Sequence, residues 1–138
     1  MALTAILKLN GKEYNIKKCK YEFHQPIDEN GIPCAYPRGG IIDFTFESED
    51  SSGNEFYEWM FSKTEAKEGV FEFTLSRMAK EKNKSLKFEK AYCIFLKEYF
   101  DSQDDNQMYT RIKLSAAIMS FGEARRHWYI NNEFTDQK

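Results

Sequence analysis

Metal binding or nucleophilic chemistry would have to come from His24, His127, Cys19, Cys34 and Cys93, which are all the histidines and cysteines of the chain. Zinc is gripped by Cys and His ligands in closely spaced pairs, and no two of these five stand at such a spacing. His24 falls on the polar side of a strand pattern and reads as a surface histidine. Cys93, between Tyr92 and Ile94, has no cation or base beside it in sequence to draw off its proton, so it reads as a small core residue. Asp101, Asp104 and Asp105 lack the glycine and closing glutamate of a calcium loop and form a solvated turn. Asp43 and Glu47 share a strand face two pleats apart, as ordinary polar positions do. Arg38-Gly39-Gly40 is a turn signal rather than an RNA-binding tract. Phosphate-cradling loops, nucleophile elbows and dinucleotide fingerprints are missing from the sequence. The expectation is a protein with no catalytic residues, no metal and no cofactor.

The frame around these residues is that of one ordinary domain. The 138 residues are 41% hydrophobic and 16% aromatic, enough for a single core, and the net charge of −2 leaves no basic footprint for nucleic acid. No apolar run approaches the roughly 20 residues of a membrane-spanning helix. The opening MALTAILKLNGKEYN alternates in polarity and is not a cleavable signal. Three cysteines without paired spacing argue against a disulfide framework. These features fit a chain that folds in a reducing cytoplasm.

The segment 37–61, PRGGIIDFTFESEDSSGNEFYEWMF, organises the rest. Ile42, Phe44 and Phe46 alternate with Asp43, Thr45 and Glu47, which predicts a strand with one dry and one wet face. Ser52 and Glu55 have the spacing of a capping box, opening a short helix over about 53–62. Phe56, Trp59 and Met60 lie on one side of that helix. Phe44, Phe46, Phe56, Trp59, Met60, Phe71 and Phe73 are the expected core.

Around it the pattern is strands. Leu3, Ala5, Leu7 and Leu9 form one face, and Asn10-Gly11 is a hairpin turn. The returning strand turns Tyr14 and Ile16 inward, then Cys19, Tyr21 and Phe23, so a one-residue slip near Lys17-Lys18 requires a bulge. Residues 70–76 alternate again, and 76–84 read as a charged, exposed turn. Residues 86–100 read as a long strand apolar on both faces around Ala91–Leu96, therefore covered twice. Ile112, Leu114, Ala116 and Ile118 mark a further strand. The tail 123–138 carries no assignable pattern. Together these predict a mainly β fold, a barrel or sandwich of six or more antiparallel strands with one short helix packed on it.

Residues 26–40 hold all three prolines and no period, an extended loop of the functional kind. Ile27, Ile32 and Tyr36 give it apolar contact points, Pro37 and Arg38 a stiff corner with a planar donor, and Gly39-Gly40 a sharp re-entry. With no catalytic constellation and more apolar surface than a monomer needs, the pattern favours self-assembly.

The order of LKLNGKEY (7–14), PRGG (37–40), Glu47-Ser48, FYEWM (56–60), LKFEKAYC (86–93), EYFD (98–101), Met108, LSAAI (114–118) and Gly122 resembles the haemolysin-coregulated protein family (Hcp, TssD), in its Bacteroidota-type branch. The resemblance spans residues 3–122. It implies an Hcp-like barrel over 1–122 that forms six-membered rings, stacked into the inner tube of a type VI secretion system. It also implies that the loop 26–40 bridges rings and that a contractile sheath, a spike and effector cargo are partners. Export without a cleaved signal peptide, with neither nucleic acid binding nor membrane insertion, follows the same resemblance. A phage-like contractile tail-tube protein and a small-ligand β-barrel are the alternative readings. The second of these needs a polar interior pocket where the sequence places Phe, Leu and Ile.

Overall fold

The protein is described by a computed structural model over residues 2–48, 53–77, 80–101, 103, 107–122 and 127–130. Strands β1 (Ala2–Leu9) and β2 (Lys12–Tyr21) meet at Asn10-Gly11, whose φ values of 52° and 76° are those a two-residue hairpin turn needs. Leu7, Leu9 and Tyr14 turn into the core. The expected slip in β2 is present: its register against β3 (Ile41–Glu47) shifts between Ile16 and Lys18, which brings Cys19 and Tyr21 to the inner face.

Helix α1 (Gly53–Phe61) follows, then β4 (Lys67–Arg77), β5 (Lys80–Asp101), β6 (Gln107–Phe121) and β7 (His127–Ile130). The sheet order is β3-β2-β1-β4-β5-β6-β7, and β3 also pairs with β6. That second pairing, from Ile41↔Ser115 to Glu47↔Tyr109, closes the first six strands into an antiparallel barrel and leaves β7 as an added strand on β6. Closure removes open sheet edges within the ring of strands, the usual route to unwanted pairing.

The interior is filled by side chains. Tyr14, Phe44, Phe56, Trp59, Phe71 and Phe88 are each at most 2% exposed, and Met60 and Phe73 are partly buried against them. The Phe56 ring makes edge contacts with Tyr14 and Phe44 at 5.2 and 6.3 Å and a tilted one with Phe46 at 5.1 Å, so the helix turns its apolar face into the barrel. The Trp59 indole N–H donates to the carbonyls of Glu65 and Ala91 at 3.1 and 3.2 Å, which fixes the helix to β5 without leaving a buried donor unpaired. Ser52 lies outside the described residues. The Glu55 carboxylate accepts from Asn10 Nδ2 at 2.5 Å and from the Tyr14 hydroxyl at 2.6 Å, with Lys67 Nζ at 3.5 Å, and so ties the first hairpin, the helix and β4 together.

Two expectations are corrected, and one gains its local cause. The charged stretch 76–84 is largely strand: Ser76 and Arg77 end β4, Lys80–Lys84 begin β5, and the two pair from Arg77↔Lys80 onward. Backbone pairing carries these residues, so side-chain alternation does not report them. The two-faced apolar run in β5 carries two phase changes of its inward set, with the helix packed on its inner side at Ala91 and Cys93. The inward set is Leu86 and Phe88, then Ala91 and Cys93, then Leu96. The first change falls at Lys90, with φ 53°, and the second at a register shift between Cys93 and Phe95, which leaves Ile94 47% exposed. Finally, Asp43 and Thr45, expected on a wet face, are 9% and 8% exposed. Arg111 grips the Asp43 carboxylate, and Asp43 and Thr45 line a groove with Lys18, Lys20 and Lys97.

Candidate assembly surface

Between β2 and β3 the chain leaves the barrel as an arm that supplies its own hydrogen bonds. His24 and Arg38 exchange both backbone bonds, His24 N to Arg38 O at 3.0 Å and Arg38 N to His24 O at 2.7 Å. Further out, Cys34 N donates to Pro26 O at 2.9 Å and Asp28 N to Ile32 O at 2.9 Å. At the tip, Asp28 Oδ1 accepts from the amides of Asn30 and Ile32 at 2.9 and 3.0 Å, while Gly31 takes the positive φ of the turn. Ile27, Ile32 and Tyr36 are 63%, 57% and 69% exposed, and Pro37 and Arg38 are exposed beside them. The arm is a built hairpin that presents apolar groups to its surroundings.

Its root is packed. A Cβ on Gly39 would lie 2.3 Å from the Phe23 ring, and one on Gly40 would lie 2.7 Å from the Ala116 carbonyl. Gly40 also has φ +91°, and its carbonyl accepts from Ala116 N at 2.7 Å. Phe23, Tyr21, Phe121 and Tyr129 form an aromatic cluster over this corner, with Tyr129 against Phe23 at 5.3 Å and Phe23 against Phe121 at 5.7 Å. Tyr129 belongs to β7, the segment for which the sequence offered no pattern. Its four residues do not alternate visibly, and only the presence of Trp, Tyr and Ile in a polar tail hints at packing.

The outer wall of β2, β3, β6 and β5 is basic. Across the strands the register aligns Lys20, Asp43, Lys113 and Phe95 in one row, and Lys18, Thr45, Arg111 and Lys97 in the next. Arg111 grips Asp43 with one edge of its guanidinium, Nε donating to Oδ1 at 3.0 Å and Nη2 to Oδ2 at 2.7 Å. These hydrogen bonds hold the Asp43 carboxyl below its ordinary pKa. Beneath, burial and the Asp43 charge push the Cys19 thiol up to about 12, so it is protonated at neutral pH. The groove along this wall has a volume of about 490 Å³.

Elsewhere Phe61, Phe100, Ile94 and Met108 expose 81%, 59%, 47% and 43% of their surfaces. Among the described residues no three His, Cys, Asp or Glu side chains gather as a metal site would require, and no helix is long and apolar enough to cross a membrane.

A closed antiparallel barrel filled by its own side chains, with one helix packed into it and an exposed apolar arm, defines a helix-bearing β-barrel with an extended loop. The chain belongs to the hemolysin coregulated protein family, Hcp (TssD), whose family model matches residues 1–129. It is thus a tube subunit of the type VI secretion system, from a family whose rings stack. Among solved structures it is similar to Hcp1 from Flavobacterium johnsoniae, with 30% identity, a TM-score of 0.77, and coverage of 93% of this chain and 99% of that one. Hcp1 from the E. coli EAEC 042 pathovar shares the fold at 14% identity and TM-score 0.70, over 94% and 98% of the two chains. Hcp1 from Salmonella typhimurium does so at 12% and 0.68, over 88% and 86%. No curated protein matches significantly.

Proposed function

We propose that this chain forms six-membered rings closed by contacts between barrels, and that the arm over residues 26–40 joins one ring to the next in a hollow tube. The observation that carries this is the arm itself. It is pinned by hydrogen bonds within itself, yet Ile27, Ile32 and Tyr36 stay exposed. Such a pre-ordered element loses little conformational entropy on docking, and its apolar groups gain by leaving water. Arg38 beside them supplies a planar donor for a carboxylate on the next ring. Ring closure falls to the barrel, where Ile94, Phe100 and Met108 offer apolar contact.

In this reading the subunit is structural and performs no catalysis. A contractile sheath surrounds the tube, a spike tips it and effector proteins travel with it. The subunit itself leaves the cell with the tube. The test is deletion of residues 28–35, followed by light scattering and electron microscopy. Rings that form but no longer stack support the assignment. Long tubes from the deletion variant would overturn it, and loss of the folded subunit would show that the arm serves its own barrel.

A further inference from the structure

We infer that the basic wall of β2, β3, β6 and β5 is a binding face for acidic polypeptide, with side-chain carboxylates as the recognised group. Lys18, Lys20 and Lys97 are exposed, and Arg111 and Lys113 half-buried, on one continuous surface. Asp43 is satisfied by Arg111, and Glu47 lies 3.1 Å from Lys17 at the margin. Glu22 at the other margin leaves the described face with an excess of positive charge, in a chain whose total is −2.

The spacing suits an extended acidic segment. Lys18 and Lys20 are two residues apart on one strand, as are Arg111 and Lys113 on another, so same-side cations repeat about every 7 Å, the repeat of glutamates on one side of an extended chain. The aromatic groups argue against bases. Lys113 Nζ and the Arg111 guanidinium sit over the Phe95 ring at 4.9 and 5.7 Å, while Tyr99 stacks on Tyr109 at 5.5 Å with Lys97 over it at 5.8 Å. Rings occupied in this way are poor platforms for base stacking, on which single-stranded nucleic acid binding relies. Lysine ammonium groups on flexible stems grip carboxylates without fixing one geometry, which suits a contact that must release. Resting on the reading of the chain as a tube subunit, the acidic segment belongs to the protein that the tube carries.

The experiment titrates the full chain into fluorescein-labelled decaglutamate and follows anisotropy at two salt concentrations. Light scattering on the same samples reports assembly. Binding should weaken with salt, and Lys20→Glu with Lys113→Glu should reduce affinity by about tenfold or more. Lys12→Glu with Lys84→Glu makes the same charge change away from the wall and should stay within about twofold, because distant exposed charges are screened. Lys20→Gln with Lys113→Gln, a milder pair, should fall between. Equal affinity in all variants overturns the inference. So does tighter binding of an oligothymidylate that is lost with the same lysines, which would make the face a nucleic acid site. Loss of rings in both wall variants would make it a subunit contact instead. Peptide binding by wild-type protein that forms no rings would sink the tube reading alone.

Discussion

The Tyr129 hydroxyl donates a hydrogen bond to the Gly39 carbonyl at 3.3 Å, across 90 residues of sequence. The same ring packs on Phe23 at 5.3 Å. The added strand therefore clamps both sides of the arm's root, Phe23 where the chain leaves the barrel and Gly39 where it returns. Tyr129→Ala should speed amide hydrogen exchange at His24 and Arg38, whose bonds sit just beyond the clamp, with little change in the barrel strands. Unchanged exchange there would show that the arm holds itself.

Trp59→Ala should cost about 3–5 kcal/mol of folding stability, because the ring is wholly buried and its N–H serves two carbonyls. Denaturant unfolding measures it. A midpoint unchanged by the substitution would mean that α1 contributes nothing to the barrel.

Gly40→Ala should destabilise more than Gly31→Ala. Both positions have positive φ, but only at Gly40 does an added Cβ meet backbone, the Ala116 carbonyl at 2.7 Å. At Gly31 the cost is the conformational one alone, about 1 kcal/mol. Paired thermal melts of the two variants separate the clash from the backbone preference.

Asp43 titrates lower in the folded protein than in the unfolded chain, through its hydrogen bonds to Arg111. Its contribution to stability is therefore complete above the unfolded carboxyl pKa and is lost as pH falls through the folded value. Asp43→Asn should flatten the acid limb of the stability–pH curve. An acid limb identical to wild type would show that other carboxylates govern it.

The thiols should separate by reactivity. Burial pushes Cys19 up to about 12 and Cys93 up to about 11, whereas Cys34 is exposed on the arm. A disulfide reagent at pH 8 should modify Cys34 rapidly in the native protein and the other two only on unfolding. Rapid modification of Cys19 would indicate that the wall above it opens.

The sequence made legible those features in which local chemistry and the fold agree. Asn10-Gly11 announces its turn, and the slip after Ile16 follows from the inward residues changing parity. The apolar rows that close the barrel through Phe44 and Ile112 are equally visible. Legibility failed where the cause lies on another strand. Asp43 and Thr45 look wet in their own strand, and the side chains that line the groove with them come from β2, β5 and β6. The phase change at Lys90 left no local mark, since nothing in its neighbours demands a positive φ there. Of the arm, the prolines and apolar contact points were visible, but the clamp by Tyr129 was not, because a four-residue strand is too short to show a period.

The seam between β3 and β6 also dictates when the fold can complete. The Asp43–Arg111 pair across it joins residues 68 positions apart. At synthesis rates of about 5–20 residues per second, some 3–14 s separate the appearance of the two strands, and longer before β6 clears the ribosome. Throughout that interval Phe44 and Phe46 stand on a strand with one flank unpaired, in a chain otherwise built to associate with copies of itself. The nascent subunit thus offers an open sheet edge before it offers an assembly surface, and the order in which the two are covered decides whether it ripens into a tube subunit or aggregates.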